Sequence, residues 1–298
     1  MYRALAAWLT ERPWRAAVVA ACFGLFSLQS AMLFGALASA VPVLVLLERG
    51  GLAGTNVLLA GSVSVIGTLL YFGQSIWVAL SYAVFLFGLP TLMGELLRRS
   101  GSLTFVFQLT VLISVAVLCG IYALVPAPAA IWEQLMRQAF NTLAQAGIPM
   151  DEKLIAPLAR TLWGAVIAVL AFSSLGSVFL ARWCQALLHA PGAFGGEFQQ
   201  LRTGVALGTV LVAMTIGSFA TDVALLDSLA WVAIMALGLQ GLATAHRTKA
   251  EGHLQRGWLV AIYVLLIVPL SMFVTVALLA AWGLADHWRR MRLGALRS

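Results

Sequence analysis

The stretch AVVAACFGLFSLQSAMLFGALASAVPVLVLL, residues 17–47, carries no charged side chain. A helix that crosses a bilayer needs about 20 apolar residues, so this run is long for one span and short for two. Its middle holds the polar patch Ser27-Leu28-Gln29-Ser30, and Pro42 follows. The run reads as two closely spaced helices that meet near Gln29 and Ser30. The second is distorted at Pro42, whose missing N–H frees a carbonyl that must find a partner inside a bundle.

Further apolar runs repeat the pattern: Val57 to Phe72, Ile76 to Leu92, Leu103 to Val125, Leu162 to Leu180, Val205 to Ala220, Ser228 to Ala245 and Trp258 to Leu284. Strand-type alternation is absent, which argues against a β-barrel. The 298 residues are 62% hydrophobic and only 10% charged, and mean hydropathy is +0.97. Soluble domains carry about 45–50% apolar and about 25% charged residues. A soluble fold, a disordered chain and a nucleic-acid binder are therefore excluded. The expected architecture is all-α: a polytopic transmembrane helical bundle of about 8–9 spans forming a single integral membrane domain over residues 1–298.

Charge gives the orientation. The net charge of +7 and the pI near 9.9 fit loops held at an anionic cytoplasmic face. With the N-terminus inside, Arg3, Arg12, Arg15, Arg49, Arg98, Arg99, Arg182, Arg202, Arg247, Lys249 and Arg256 all face the cytoplasm; Arg137, Lys153 and Arg160 lie outside. The end of the chain pulls two ways. Trp258 to Leu284 has the length of one tilted span, which would put Arg289, Arg290, Arg292 and Arg297 outside. A hairpin broken at Pro269 would bring them inside, with each half short for a crossing. Arg3, Arg12 and Arg15 precede the first apolar run, and no cleavage pattern ends it, so it reads as a retained anchor.

One segment, residues 126–157, reads as extramembrane. Ile131, Trp132, Leu135, Met136, Ala139, Phe140 and Leu143 fall at helical spacing, opposite Glu133, Gln134, Arg137, Gln138, Asn141 and Gln145. This predicts an external amphipathic helix, stopped by Gly147 and Pro149. Many of the ten Trp stand near the ends of apolar runs, as in interfacial belts.

Catalytic motifs are missing. His189, His246, His253 and His287 form no HExxH and no Cys/His ligand set. Cys22, Cys119 and Cys184 are far apart and read as small buried hydrophobes. The chain shows no GxSxG, no Walker loop and no intramembrane carboxylate cluster, so no catalytic residue, metal or cofactor is expected. Asp222 and Asp227 flank a short connection, with Asp227 expected to cap the helix from Ser228; the alternative is a paired acidic mouth for a cation. Glu95 is placed for i,i+3 or i,i+4 pairs with Arg98 and Arg99, and Glu48 for pairing with another loop. Neutral polar residues inside apolar runs usually bridge helices. Gln29, Gln108 and Gln240, with Trp163, are the candidates to line a ligand. Arg202, His246, Arg247 and Lys249 are the candidates for lipid or partner contact.

Four stretches carry a likeness, in order along the chain. They are Pro42-Val-Leu-Val-Leu-Leu-Glu-Arg49-Gly50-Gly-Leu-Ala-Gly54, Phe198-Gln-Gln-Leu-Arg202-Thr-Gly204, Gly241-Leu-Ala-Thr-Ala-His246, and Pro269 with Gly283-Leu-Ala-Asp286-His-Trp288 and its Arg cluster. Together they resemble the YybS-like family of bacterial membrane proteins. That family's core is similar to the S-components of energy-coupling-factor vitamin transporters. The resemblance implies a vitamin-like ligand held in a small bundle near the outer face. It also implies an Ala-rich helix that docks a transport module, here Ala16, Ala17, Ala20 and Ala21. The function expected is thus non-enzymatic: small-molecule binding or transport in a bacterial inner membrane, among membrane lipids. The alternative is a scaffold or assembly partner that docks a protein through cytoplasmic basic loops without a small-molecule ligand.

Overall fold

A computed structural model describes residues 2–147 and 151–295; Pro149 and Arg297 lie outside the described residues. Among those described, all regular structure is helical. Five helices are long and apolar enough to cross a membrane: Gly51–Tyr71, Ile76–Ser100, Leu103–Leu124, Glu152–His189 and Ala224–Ala250. Pro13–Ser27, Val205–Ala220, Arg256–Ile267 and Leu270–Asp286 are shorter apolar helices. These are the dimensions of a membrane protein.

The chain packs as two compact units. The first comprises residues 1–110 and 170–198, the second 111–169 and 199–298. All three boundaries fall inside helices, α7, α9 and α10 below.

The first unit opens with α1 (Tyr2–Glu11), α2 (Pro13–Ser27) and α3 (Ala31–Arg49). The turn between α2 and α3 is Leu28-Gln29-Ser30, so the opening run divides at its polar patch. Pro42 stays within α3. Next come α4 (Gly51–Tyr71), α5 (Ile76–Ala83) and α6 (Leu89–Ser100). A π-helical turn, Val84–Gly88, joins α5 to α6, with the Leu89 N–H reaching back to the Val84 carbonyl. Pro90 has no N–H to give, and the wider turn absorbs that loss without ending the helix. The core is made by Ala16 and Ala20 of α2, Ala38, Val41 and Val45 of α3, Val57 and Val65 of α4, and Phe87. Polar side chains bridge the helices: Ser27 to the Tyr82 hydroxyl at 3.0 Å, and Ser39 to Ser177 at 2.7 Å. Glu95 holds Arg98 at 2.8 Å and Arg99 at 2.7 Å, the expected local pairs.

The second unit takes the end of α7 (Leu103–Leu124), all of α8 (Pro128–Gln145) and the start of α9 (Ile155–His189), then α11 (Val205–Ala220), α12 (Ala224–Ala250), α13 (Arg256–Ile267) and α14 (Pro269–Ala295). The short α10 (Ala193–Gln199) falls almost wholly in the first unit. The segment expected to be amphipathic is the helix α8. Trp132, Met136 and Phe140 are half-buried, while Ile131, Leu135 and Leu143 are exposed.

The last apolar run is not one unbroken helix but two, broken at Val268-Pro269. α14 runs parallel to α12: Trp231 meets Phe273 edge-on at 6.3 Å, Gln240 bonds Gly283, and Arg247 pairs with Asp286. The packing is backbone against backbone. A Cβ on Gly241 would stand 1.8 Å from the Leu279 carbonyl oxygen, and one on Gly283 would stand 2.3 Å from that of Leu237. Small residues are what permit such an approach between membrane helices.

Two smaller readings also change. The helix after Asp222 starts at Ala224, so Asp227 lies in its first turn and caps nothing. Cys22 and Cys119 are exposed and Cys184 is half-buried. A thiol on a membrane helix is apolar enough to face lipid, so hydrophobicity alone does not drive it inward.

Candidate functional site

The first unit carries an open cleft of about 420 Å³, lined by Arg3, Thr10, Glu11, Glu48, Arg49 and His189 among others. Its construction begins with α1, whose C-terminal carbonyls lack intrahelical partners. The Arg49 guanidinium supplies them, donating from Nε to the Thr10 carbonyl and from Nη2 to that of Glu11. A cation at a helix C-terminus also opposes the negative end of its dipole. Pro13 then starts α2 with its fixed φ, with only Arg12 between the two helices. The end of α9 completes the wall. His189 Nε2 lies 2.8 Å from Glu48 Oε2, Gln185 donates to the Leu47 carbonyl at 3.3 Å, and Arg3 reaches the Leu188 carbonyl at 3.5 Å.

The charges in this cleft are unevenly engaged. Arg49 is committed to carbonyls, and Glu11 is paired with Arg15 at 2.5 Å. The Glu48 side chain is 12% exposed, and its Oε1 is buried without a hydrogen-bond partner. A buried carboxylate oxygen left unpaired is costly, and it is the other oxygen, Oε2, that meets His189. Among the described residues, no group of three or more His, Cys, Asp or Glu is placed to hold a metal ion.

The residues singled out as ligand-lining divide between the two units. Gln29 is exposed in the α2–α3 turn and Gln108 is half-buried on α7, both in the first unit. Trp163 and Gln240 belong to the second. Gln240 is 2% exposed. Its Oε1 accepts from the Thr203 N–H at 2.8 Å and the Thr203 hydroxyl at 2.7 Å. Its Nε2 donates to the Gly283 carbonyl at 2.9 Å. It thus bridges the start of α11, α12 and α14. Trp163 donates from Nε1 to the Pro128 carbonyl at 2.9 Å and meets Trp132 edge-on at 5.4 Å, tying the head of α8 to α9.

Of the four contact candidates, all in the second unit, Arg202 and Lys249 are exposed. His246 Nε2 lies 2.8 Å from the Tyr263 hydroxyl. Arg247 spends its guanidinium internally, on Asp286 at 2.6 Å and the Gln199 carbonyl at 3.4 Å.

A second polar cluster joins Asp222 and Asp227 to a partner the sequence did not assign them. Arg160, near the start of α9, holds Asp227 at 3.1 Å and Asp222 at 3.6 Å. Its carbonyl accepts from Tyr122 at 3.2 Å and Ser228 at 3.0 Å. The one signal available was that Arg160 stands without a basic neighbour while two aspartates flank a turn. The cleft had no comparable signal, because Arg3, Glu48 and His189 are far apart in the chain. Compared with family models, curated proteins and solved structures, the chain matches none.

Proposed function

We propose that the protein is a non-enzymatic, multi-pass protein of the bacterial inner membrane that binds a small polar molecule. The observation that carries this reading is the cleft of about 420 Å³ lined by charged side chains of both signs, Arg3, Arg49, Glu11 and Glu48. Ligand sites occupy about 300–1,000 Å³ and place a few polar groups to orient the guest.

With the N-terminus inside, α2, α3, α4, the α5–α6 helix, α7, α9, α11 and α12 alternate in direction, and the α13–α14 hairpin returns the tail to the cytoplasm. Two features support this path. Arg3, Arg49 and Arg182 gather at one end of the first unit, through contacts to the ends of α1, α3 and α9. In the second unit, Arg160 lies at the start of α12 and Arg247 at its end. The positive-inside rule asks for that separation.

The likeness to S-components agrees with a small-molecule site. Docking of a transport module through the Ala-rich helix draws less support, since Ala16 and Ala20 are 0% exposed within the first unit's core. Exposed Lys249 and Arg202 favour the second reading, a scaffold that holds a protein partner through basic loops. Native mass spectrometry of protein extracted in mild detergent separates the two. A retained small molecule supports the binding reading; a stoichiometric co-purifying protein with no small molecule replaces it with the scaffold.

A further inference from the structure

α1 is held at both ends by other helices. The Arg49 side chain, at the end of α3, donates to the last carbonyls of α1, those of Thr10 and Glu11. At the other end Arg3 reaches the Leu188 carbonyl at 3.5 Å, and the Tyr2 ring lies 5.8 Å from that of Trp183. Leu188 and Trp183 belong to the last two turns of α9. α1 therefore lies across the end of the first unit's bundle, along none of its long helices. At about 1.5 Å per residue, its ten residues reach about half-way through a hydrocarbon core of about 30 Å, so it cannot cross one.

Its residues divide among three faces. Ala6 and Leu9 are buried. Arg3, Ala7, Thr10 and Glu11, at i, i+4, i+7 and i+8, line the cleft. Leu5 and Trp8, one turn apart, are exposed, as is Arg12 just past the helix end. At about 100° per residue, Leu5 and Trp8 stand about 150° from the middle of the cleft face, so the two look opposite ways.

Arg15 indicates what the exposed stripe meets. Its guanidinium lies over the Trp8 ring of α1 and the Trp14 ring of α2, 5.2 and 5.8 Å from their centroids. Trp14 is exposed, and so are Val18 and Leu25, four and eleven residues on, which is one face of a helix. On a helix read as spanning the membrane, that face meets acyl chains. Trp8 continues it at the end where the cations stand. Arg12 and Arg15 carry the charge that complements headgroup phosphate, and aromatic rings interleaved with snorkelling Arg are the make-up of an interfacial helix.

We propose that α1 is an in-plane anchor seated on the phospholipid headgroup layer. Leu5 and Trp8 enter the boundary between headgroups and acyl chains, Arg12 takes phosphate oxygens, and the opposite face keeps the cleft turned to the water. The inference rests on the membrane placement above.

The test uses the full chain with Cys22, Cys119 and Cys184 replaced by Ser, in vesicles of phosphatidylcholine and phosphatidylglycerol. Nitroxide labels on single cysteines, Leu5→Cys, Ala7→Cys or Val18→Cys, report collisions with oxygen, which concentrates among acyl chains, and with a water-soluble nickel chelate. The oxygen-to-nickel ratio at Leu5 should be several-fold above that at Ala7 and below that at Val18. Arg12→Glu should lower the Leu5 ratio towards that of Ala7. Trp8→Cys gives the same reading if Leu5→Cys does not fold. A Leu5 ratio equal to that of Ala7 overturns the inference. So does a Leu5 label shielded from both reagents, which would mean that a second copy of the chain covers the stripe, and so does a Leu5 ratio that Arg12→Glu leaves unchanged. Val18 in lipid with Leu5 in water sinks the anchor alone, whereas both in water would mean that the membrane placement has failed as well.

Discussion

The Arg247 guanidinium lies 2.6 Å from the Asp286 carboxylate, with 21% and 13% of the two side chains exposed. This pair joins the end of α12 to the last third of α14, and so decides how the final apolar run is folded. By sequence alone Arg202 and Arg247 are equal candidates for lipid or partner contact. In the structure Arg247 uses its fork on Asp286 and the Gln199 carbonyl, while Arg202 is exposed. Lys cannot reproduce two directed donors. Arg247→Lys should lower stability by about 1.5–3 kcal/mol, read as a lower melting temperature in detergent. Arg256→Lys, at an exposed position, should stay within about 0.5 kcal/mol. Equal loss in both would mean that the pair does not hold α14 in place.

The α12–α14 contact predicts a large effect from one methyl group. Gly241→Ala would drive a Cβ to 1.8 Å from the Leu279 carbonyl oxygen, and both elements there are backbone. The helices must separate, at a cost of about 3 kcal/mol or more. Gly67→Ala in α4, where a Cβ meets nothing within 4 Å, should be neutral or slightly stabilising. Melting curves of the two variants check the contrast, and a stable Gly241→Ala would refute the close approach.

Topology gives a third expectation. In a background with Cys22, Cys119 and Cys184 replaced by Ser, single cysteines at Lys249 and Arg289 should share one labelling pattern. Both should be protected from an impermeant reagent in intact spheroplasts and labelled after lysis. A cysteine at Gln138, exposed on α8, should be labelled without lysis. Labelling of Arg289Cys in intact cells, with Lys249Cys protected, would restore the single-span reading of the last run.

The two aspartates that meet Arg160 should not behave alike. Asp227 lies 3.1 Å away with 20% of its side chain exposed, whereas Asp222 lies at 3.6 Å and is fully exposed. Water screens the outer pair, so Asp222→Asn should change stability by about 0–1 kcal/mol and the change should fade with salt. Asp227→Asn should cost about 1.5–3 kcal/mol and depend less on salt. A denaturant series at two ionic strengths checks both.

Composition and run length alone determined that this chain is helical and membrane-sized, since lipid leaves a backbone no other way to satisfy its polar groups except a closed barrel. Local chemistry was legible too. The Ser27–Ser30 patch divides the first run, Glu95 pairs with Arg98 and Arg99, and Trp132, Met136 and Phe140 share a helix face, because each depends on neighbours within a few residues. What the tertiary structure alone decided is everything that joins distant residues: Gln240 to Thr203 and Gly283, Arg247 to Asp286, and Arg3, Glu48 and His189 around one cleft. An apolar run states only that a segment prefers lipid to water. It does not state which face meets protein, because lipid tails and Leu side chains are equally apolar. Hence length favoured one span from Trp258 to Leu284, while charge and Pro269 favoured a return. The tertiary structure breaks the run at Val268-Pro269 and packs the backbone of α14 against Gly241 and Leu237.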